Sequence, residues 1–354
     1  MMREFVYKAL PSRVVFGTGK VTTVADEVEA IGSSRALVLC TPPQRAQAEM
    51  VAEMLGSRLA GIHDGAEMHV PIESARRARA LAAELGADCA VAIGGGSTIG
   101  LGKAIALESS IPIIAIPTTY AGSEMTPIYG ITENGLKRTG KDVRVLPRSV
   151  IYDPDLTMTL PLGMSLVSGM NAIAHAAEGL YAQDGNPVMS LMGQEGIRAL
   201  AEGMPQLVEA PDDKEARASC LYGAWLCGTV LGNVGMSLHH KLCHTLGGTF
   251  NLPHAETHTI VLPHALAYNS PNAPEAMEQI ANAIHASDGP GGLHRIATKL
   301  GMPTALRDLG MKEADLDRAC EIALSKPYWN PRPVEAAPLR ALLQRAWEGA
   351  EPRP

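Results

Sequence analysis

The 354-residue sequence predicts an N-terminal α/β domain built on a parallel sheet, residues 1–155, and an all-α C-terminal domain, residues 156–354. Three observations predict it. Up to about residue 155, short apolar runs alternate with helical patterns, as βαβ units require. After DPDLTMTLP (153–161) β-rich runs give way to successive helical patterns with short Gly or Pro breaks. A chain this long also exceeds one ordinary hydrophobic core, so two domains are expected.

In the first part, RALVLC (35–40) reads as a buried strand, followed by a helix near 43–56 and a short strand near 58–62. A helix follows from Ile72 to about Leu85, then the strand CAVAIGGGS with another helix behind it, then the strand IPIIAIPTT. Near-continuous apolar strands of this kind belong to a parallel sheet covered on both faces. Runs around Ile128–Thr132 and Val150–Tyr152 read as added strands that close the domain. The second part reads as helices over 163–181, 189–203, 213–231 and 236–248. The longest apolar window, Leu221 to Leu238, contains several Gly and an Asn and is expected to be a buried helix rather than a membrane span.

The formal charge of −7 argues against a nucleic-acid or anionic-membrane partner, which needs a basic face. The six cysteines are scattered, with no CxxC, as expected of reduced and mostly buried thiols in a cytoplasmic protein. The stretch MMREFVYKALPSR lacks the long apolar segment of a secretory signal.

Two loops carry the signal for a nucleotide. In AVAIGGGSTIGLGKA (90–104) a strand runs through Gly94, Gly95, Gly96 and Ser97 into a helix. Consecutive glycines let backbone N–H groups approach a pyrophosphate, and the helix N-terminus adds a favourable dipole. A plain tight turn would look the same. The next strand adds Thr118, Thr119, Gly122 and Ser123 at its carboxyl end, where open α/β sheets bind ligands. Two such loops favour a dinucleotide over a structural turn. Thr41 and Pro42 follow RALVLC where an acidic residue would exclude a 2′-phosphate, so NADPH is expected to be accepted as well as NADH. Asp153, Thr157 and Leu160 are expected to edge the adenine or ribose, and Lys103 and Lys137 to meet phosphate or ribose, with a solvated face as the alternative for Lys103.

The chemistry is expected elsewhere. In SGMNAIAHAAEGL (168–180), Asn171 and His175 are one helical turn apart on one face. An Asp four residues before a His would be a good pair of metal ligands, but here the first position is an amide. Six of the eleven histidines, His239, His240, His244, His254, His258 and His264, crowd into one short region. A single buried His is usually a core residue; so many together point to a site.

Taken together, GGGS, PTTYAGSE, DPDLTMTLP, SGMNAIAHAAE, HKLCHTLGG and the Pro-His pairs at 253–254 and 263–264 resemble the iron-containing (group III) alcohol dehydrogenases, in order, from about residue 13 to 333. The resemblance implies a dehydroquinate synthase-like architecture with an active-site cleft between its two domains. It places the family's metal ligands on Asn171, His175, His240 and His254, with His244 next to the substrate. Three departures, a shortened PTTYAGSEMTP, Gly100 in place of Asp and Asn171 in place of Asp, resemble the branch that reduces maleylacetate to 3-oxoadipate with NADH or NADPH in bacterial degradation of aromatic compounds. That implies a small dianionic substrate and a homodimer. Because Asn171 removes the only anionic ligand, the sequence leads to the expectation of no required metal, with hydride added at carbon and charge held on a delocalised enolate. In that reading His244 and His240 act as donor and acid, His175 and His254 shape the pocket, and the unmetallated histidines help bind the dianion. Arg332 in YWNPRPV and Lys241 are further cations for it, each with a structural alternative. The rivals are a metal-dependent alcohol or polyol dehydrogenase that keeps Asn171 as a ligand, and a silent NAD-binding sensor.

Overall fold

The computed structural model describes residues 4–133 and 136–354, apart from the side chains of Leu136 and Lys137. It forms two compact units, one spanning Ala9–Leu160 and the other containing Pro161–Pro354.

The first unit runs β1 (Arg13–Phe16), α1 (Val24–Ala30), β2 (Ala36–Leu39), α2 (Arg45–Leu55), β3 (Leu59–His63), α3 (Ile72–Glu84), β4 (Cys89–Gly94), α4 (Gly96–Ser109), β5 (Ile113–Pro117), β6 (Ile128–Glu133), β7 (Leu136–Lys141) and β8 (Ser149–Tyr152). Six strands form one sheet in the order β1-β8-β5-β4-β2-β3, and every neighbouring pair is parallel. The runs ALVL, CAVAIG, IIAIP and SVIY are buried throughout because helices cover both faces. On one face Val24, Val28, Ala48 and Val51 from α1 and α2 pack against Val38, Val91, Ile93 and Ile114. On the other, α4 lies against Leu39, Ala92 and Ile113 at Gly102.

The parallel sheet agrees with the sequence reading, with differences in detail. The 128–132 run does not close this sheet. As β6 it pairs antiparallel with β7 in a separate two-stranded ribbon, tied to the segment before α3 by Thr132 N–H donating to the Val70 carbonyl at 3.0 Å. The short edge strand β1 was not anticipated; its RVVF run owes its order to pairing with β8.

The second unit is helical: α5 (Leu162–Leu180), α6 (Pro187–Glu209), α7 (Lys214–Asn233), α8 (Leu238–Phe250), α9 (His254–Asn269), α10 (Pro274–Ala283), α11 (Gly289–Lys299), α12 (Leu316–Leu324) and α13 (Ala336–Glu348). The apolar window 221–238 is not one helix, since α7 stops at Asn233 and α8 starts at Leu238. Among the described residues no helix is long and apolar enough to cross a membrane. All residues of α5 from Ser165 to Gly179 are buried, so polar groups on this helix must find partners inside the protein. α6 and α7 touch through small residues, and a Cβ on Gly223 would meet the Gly196 carbonyl oxygen at 2.8 Å. A second core joins Leu242 and Leu246 of α8 to Val261 and Ala265 of α9 and to Leu316 and Leu339 of α12 and α13. All six cysteines are free and buried.

Candidate active site

In the sheet unit, β4 and β5 are neighbours with Gly94 opposite Pro117, so the glycine turn and the Thr118–Ser123 loop leave the sheet side by side. Gly94 has φ +152°, and a Cβ there would meet Thr98 Oγ1 at 2.5 Å and Gln44 Oε1 at 2.6 Å. Only glycine fits this turn. Gly95 caps α4 and Gly96 and Ser97 open it, so the first N–H groups of the helix are presented at the carboxyl edge of the sheet. Gln44 links the loops: it accepts from Thr41 Oγ1 at 3.0 Å and donates to Thr118 Oγ1 at 2.8 Å. This crevice lies between β2, whose chain continues outward to β3, and β4, whose chain continues the other way to β5, at a topological switch point. Gly122 has φ +79° and Thr119 is half-buried beside Gly95.

Other residues expected here have different work. The Asp153 carboxylate is fully buried and accepts from the backbone N–H groups of Gly19, Val21 and Asp155 at 2.9–3.1 Å, pinning the turn after β1. Thr157 Oγ1 donates to the Pro154 carbonyl at 2.8 Å, and Leu160 is half-buried at the end of the same turn. The Lys137 side chain lies outside the described residues.

Lys103 is neither a phosphate ligand nor a solvated residue. It is 1% exposed, and Nζ donates to the carbonyl oxygens of Ser123, Thr126 and Ile128 at 2.6, 2.8 and 2.7 Å and to Thr126 Oγ1 at 3.0 Å. The lysine thereby clamps the chain leaving the Thr118–Ser123 loop. Burial pushes its pKa down, to about 7, with Glu124 opposing.

The helical unit holds the histidines. Asn171, His175 and Glu178 fall at i, i+4 and i+7 on one face of α5, all buried. Glu178 organises the entry of α8. Its carboxylate accepts from Ser237 N–H (3.0 Å), Ser237 Oγ (2.7 Å), His239 N–H (2.9 Å) and His240 Nδ1 (2.7 Å). Burial would raise this carboxyl; the bond and charge of His240 outweigh it and hold it well below the ordinary range. Since a carboxylate only accepts, the His240 ring donates to it from Nδ1, and Nε2 is the nitrogen turned away from Glu178.

His175, His240 and His258 each offer a ligand atom, and these lie within 4.8 Å of one another. Asn171 Oδ1, His175 Nδ1, His240 Nε2 and His258 Nε2 are buried without a hydrogen-bond partner in the protein. His258 is held from behind, with Nδ1 3.0 Å from His239 Nε2. His254 and His244 are exposed; their rings lie 4.3 Å from His258 and 6.2 Å from His240 respectively. The structure thus brings His175 and His240 together, keeps Asn171 buried one turn from His175, and puts His258 in the buried set where the resemblance implies His254. Burial, then neighbouring imidazoles, hold His175 and His258 well below 6.5 and His239 at about 3. These rings are neutral at pH 7, so His175, among the histidines expected to carry positive charge toward a dianion, carries none. Neutral imidazoles with free lone pairs are what a divalent metal takes.

Arg332 is structural, its guanidinium 4.3 Å over the Tyr268 ring and donating to the Tyr268 carbonyl at 2.8 Å. Lys241 Nζ lies 5.6 Å from the centre of the Tyr328 ring.

Residues 11–154 match the family described as iron-containing alcohol dehydrogenase, and residues 165–347 match the C-terminal part of the Fe-containing alcohol dehydrogenase family. The chain belongs to the iron-containing alcohol dehydrogenase family. It is an oxidoreductase. It is 60% identical to a maleylacetate reductase from Burkholderia cepacia over 351 residues, 99% of this chain and all of the relative. The solved maleylacetate reductase from Rhizobium sp. strain MTP-10005 superposes with a TM-score of 0.96 at 54% identity, covering 99% of this chain and 100% of that one. A solved iron-containing alcohol dehydrogenase from Corynebacterium glutamicum gives 0.93 at 44%, covering 98% and 97%.

Membership of the iron-containing alcohol dehydrogenase family implies a metal cofactor and overturns the expectation that none is required. The residues fit one. The ligand atoms of three imidazoles lie close together and unsatisfied, the Asn171 oxygen one turn from His175 is buried without a partner as well, and Glu178 and His239 hold His240 and His258 from behind. The error lay in counting only first ligands. The lost Asp at 171 leaves an anion close by, because Glu178 is bonded to the ligand His240 itself.

Proposed function

We propose that this chain reduces the carbon–carbon double bond of maleylacetate to give 3-oxoadipate, using NADH or NADPH. The carrying observation is end-to-end likeness, at 60% identity, to a maleylacetate reductase. The dinucleotide is assigned to Gly94, Gly95, Gly96 and Ser97, with Thr41, Thr118, Thr119, Gly122 and Ser123 around them; Asp153, Thr157 and Leu160 support the neighbouring turn. Arg45 opens α2 just after Thr41, and no acidic residue follows β2 to exclude a 2′-phosphate, which supports use of both nucleotides.

The metal would be held by His175, His240 and His258 with the Asn171 carbonyl oxygen, and supplies a Lewis acid for the substrate's oxygen. The nucleotide supplies the hydride. The protein's part is to hold the enone, exclude water and deliver one proton. With Nδ1 of His240 engaged by Glu178 and Nε2 assigned to the metal, we assign the acid role to His244, which is exposed one helical turn further along α8. His244 protonates the carbon next to the carbonyl as the enolate collapses to the ketone. His254, also exposed, and Lys241 are the nearby donors left to meet the substrate carboxylates. The reading extends to a cytoplasmic homodimer serving aromatic-compound degradation.

The test is NAD(P)H oxidation by the purified protein with maleylacetate. Turnover with 3-oxoadipate as product is expected. A protein that oxidises simple alcohols or polyols with NAD+ and leaves maleylacetate untouched would overturn the proposal.

A further inference from the structure

Behind the ligand set lies a second group of buried donors that the reaction does not use. His239 and Cys243 are four residues apart on α8, and both face His258 of α9. Their ligand atoms lie within 4.8 Å of one another, and all three residues are buried. His239 Nε2 is 3.0 Å from His258 Nδ1, and Cys243 Sγ is 3.7 Å from His239 Nε2. From ordinary zinc bond lengths, the edges of a tetrahedral site are about 3.4 Å for N···N and about 3.6 Å for S···N. Two edges of the group are therefore within a few tenths of an ångström of a tetrahedral face, and the third, from Cys243 to His258, is no longer than 4.8 Å.

We propose that His239, Cys243 and His258 form a second buried site that takes a soft divalent cation such as Zn²⁺, Co²⁺ or Cd²⁺. His258 belongs to both sites, with Nδ1 on this side and Nε2 left for the other. Binding displaces two protons, the thiol proton of Cys243 and the Nδ1 proton of His258, which becomes an imidazolate between the two sites while His239 keeps its proton on Nδ1; one S–metal and two N–metal bonds form with no change of oxidation state. Charge favours it. The thiolate is one anion, and the imidazolate shared with the first site is a second. A dication at this place is thus balanced, and the sulfur selects soft ions over Mg²⁺ or Ca²⁺. Exposed His254, 4.3 Å from His258, is the way in from the surface. Among the described residues no other cysteine sits in such a group, so a sulfur-bound ion reports on this place alone.

The experiment titrates Co²⁺ into chelator-treated full-length protein and follows optical absorption and the cobalt X-ray absorption edge. A sulfur-to-cobalt charge-transfer band and a sulfur scatterer are expected in the unaltered protein. Cys243→Ser should lose both and bind one cobalt fewer, keeping the nitrogen-bound ion. Only nitrogen and oxygen neighbours at saturating cobalt, or a band undiminished in Cys243→Ser, would overturn the site. If that variant does not fold, the X-ray absorption of the unaltered protein decides alone.

Discussion

Two regions bury polar side chains, and they treat them in opposite ways. In the sheet unit Lys103 is sealed from solvent, with its ammonium group answered by three carbonyls and a hydroxyl. In the helical unit four buried ligand atoms, of Asn171, His175, His240 and His258, have no partner in the protein, and the three imidazoles among them lie together. An unsatisfied buried polar group is costly. A fold that satisfies one cluster completely and leaves the other open is using the first as structure and the second as a site.

Breaking the satisfied network should therefore cost stability. Lys103→Met takes the shared buried donor away from the carbonyls of Ser123, Thr126 and Ile128. At roughly 1–3 kcal/mol for each group the loss should be about 4 kcal/mol, read as a lower midpoint in chemical denaturation. Because those carbonyls follow the Thr118–Ser123 loop, NADH affinity should weaken too. His175→Gln gives up no buried bond at Nδ1, so its stability should change by about 1 kcal/mol at most while metal binding fails. Equal stability losses in the two variants would erase the contrast.

The link between the open cluster and its support is sharpened by Glu178→Gln. The amide keeps the shape of the carboxylate and its one oxygen still accepts from the α8 entry, but its NH₂ accepts nothing and the charge behind His240 is gone. Metal affinity, measured by chelator competition, should fall by about 10- to 100-fold, the usual effect of losing an outer-shell carboxylate. Unchanged affinity would mean that Glu178 serves only as a cap for α8.

The parallel sheet and the positions of Asn171, His175 and His240 were legible in the sequence because they rest on local pattern. Apolar runs, a glycine turn and a spacing of four residues within α5 can be read along the chain. Glu178 was in plain view, three residues beyond His175 and charged in an otherwise apolar helix, which is the signal that could have found it. What made it functional was hidden, since its partners Ser237, His239 and His240 come from another helix. His258 was likewise seen only as one of a crowd; whether it or His254 turns inward depends on how α9 packs against α8. Lys103 was misjudged because a lysine after a glycine turn suggests phosphate, and nothing local shows that the chain after β5 folds over it.

His264 marks the limit of the contrast, since it too is buried, 1% exposed, with both ring nitrogens lacking a partner. It was counted with the crowd, yet it joins no ligand set; its aromatic neighbour is His294, 6.3 Å away. Solitude makes it a liability rather than a site. Burial, with the nearby charge of His294, lowers its pKa from 6.5 to about 3. Below pH 6.5 the unfolded chain takes up a proton that the folded ring refuses, so stability falls as pH drops from 6.5 toward 3. Between pH 7 and pH 5.5 this ring alone should remove about 1 kcal/mol. His264→Leu should match or exceed the unaltered protein in stability at pH 7 and lose about 1 kcal/mol less on acidification, read from denaturation midpoints at the two pH values. A variant that keeps the full acid loss would show that the folded ring takes up its proton as readily as the unfolded chain does.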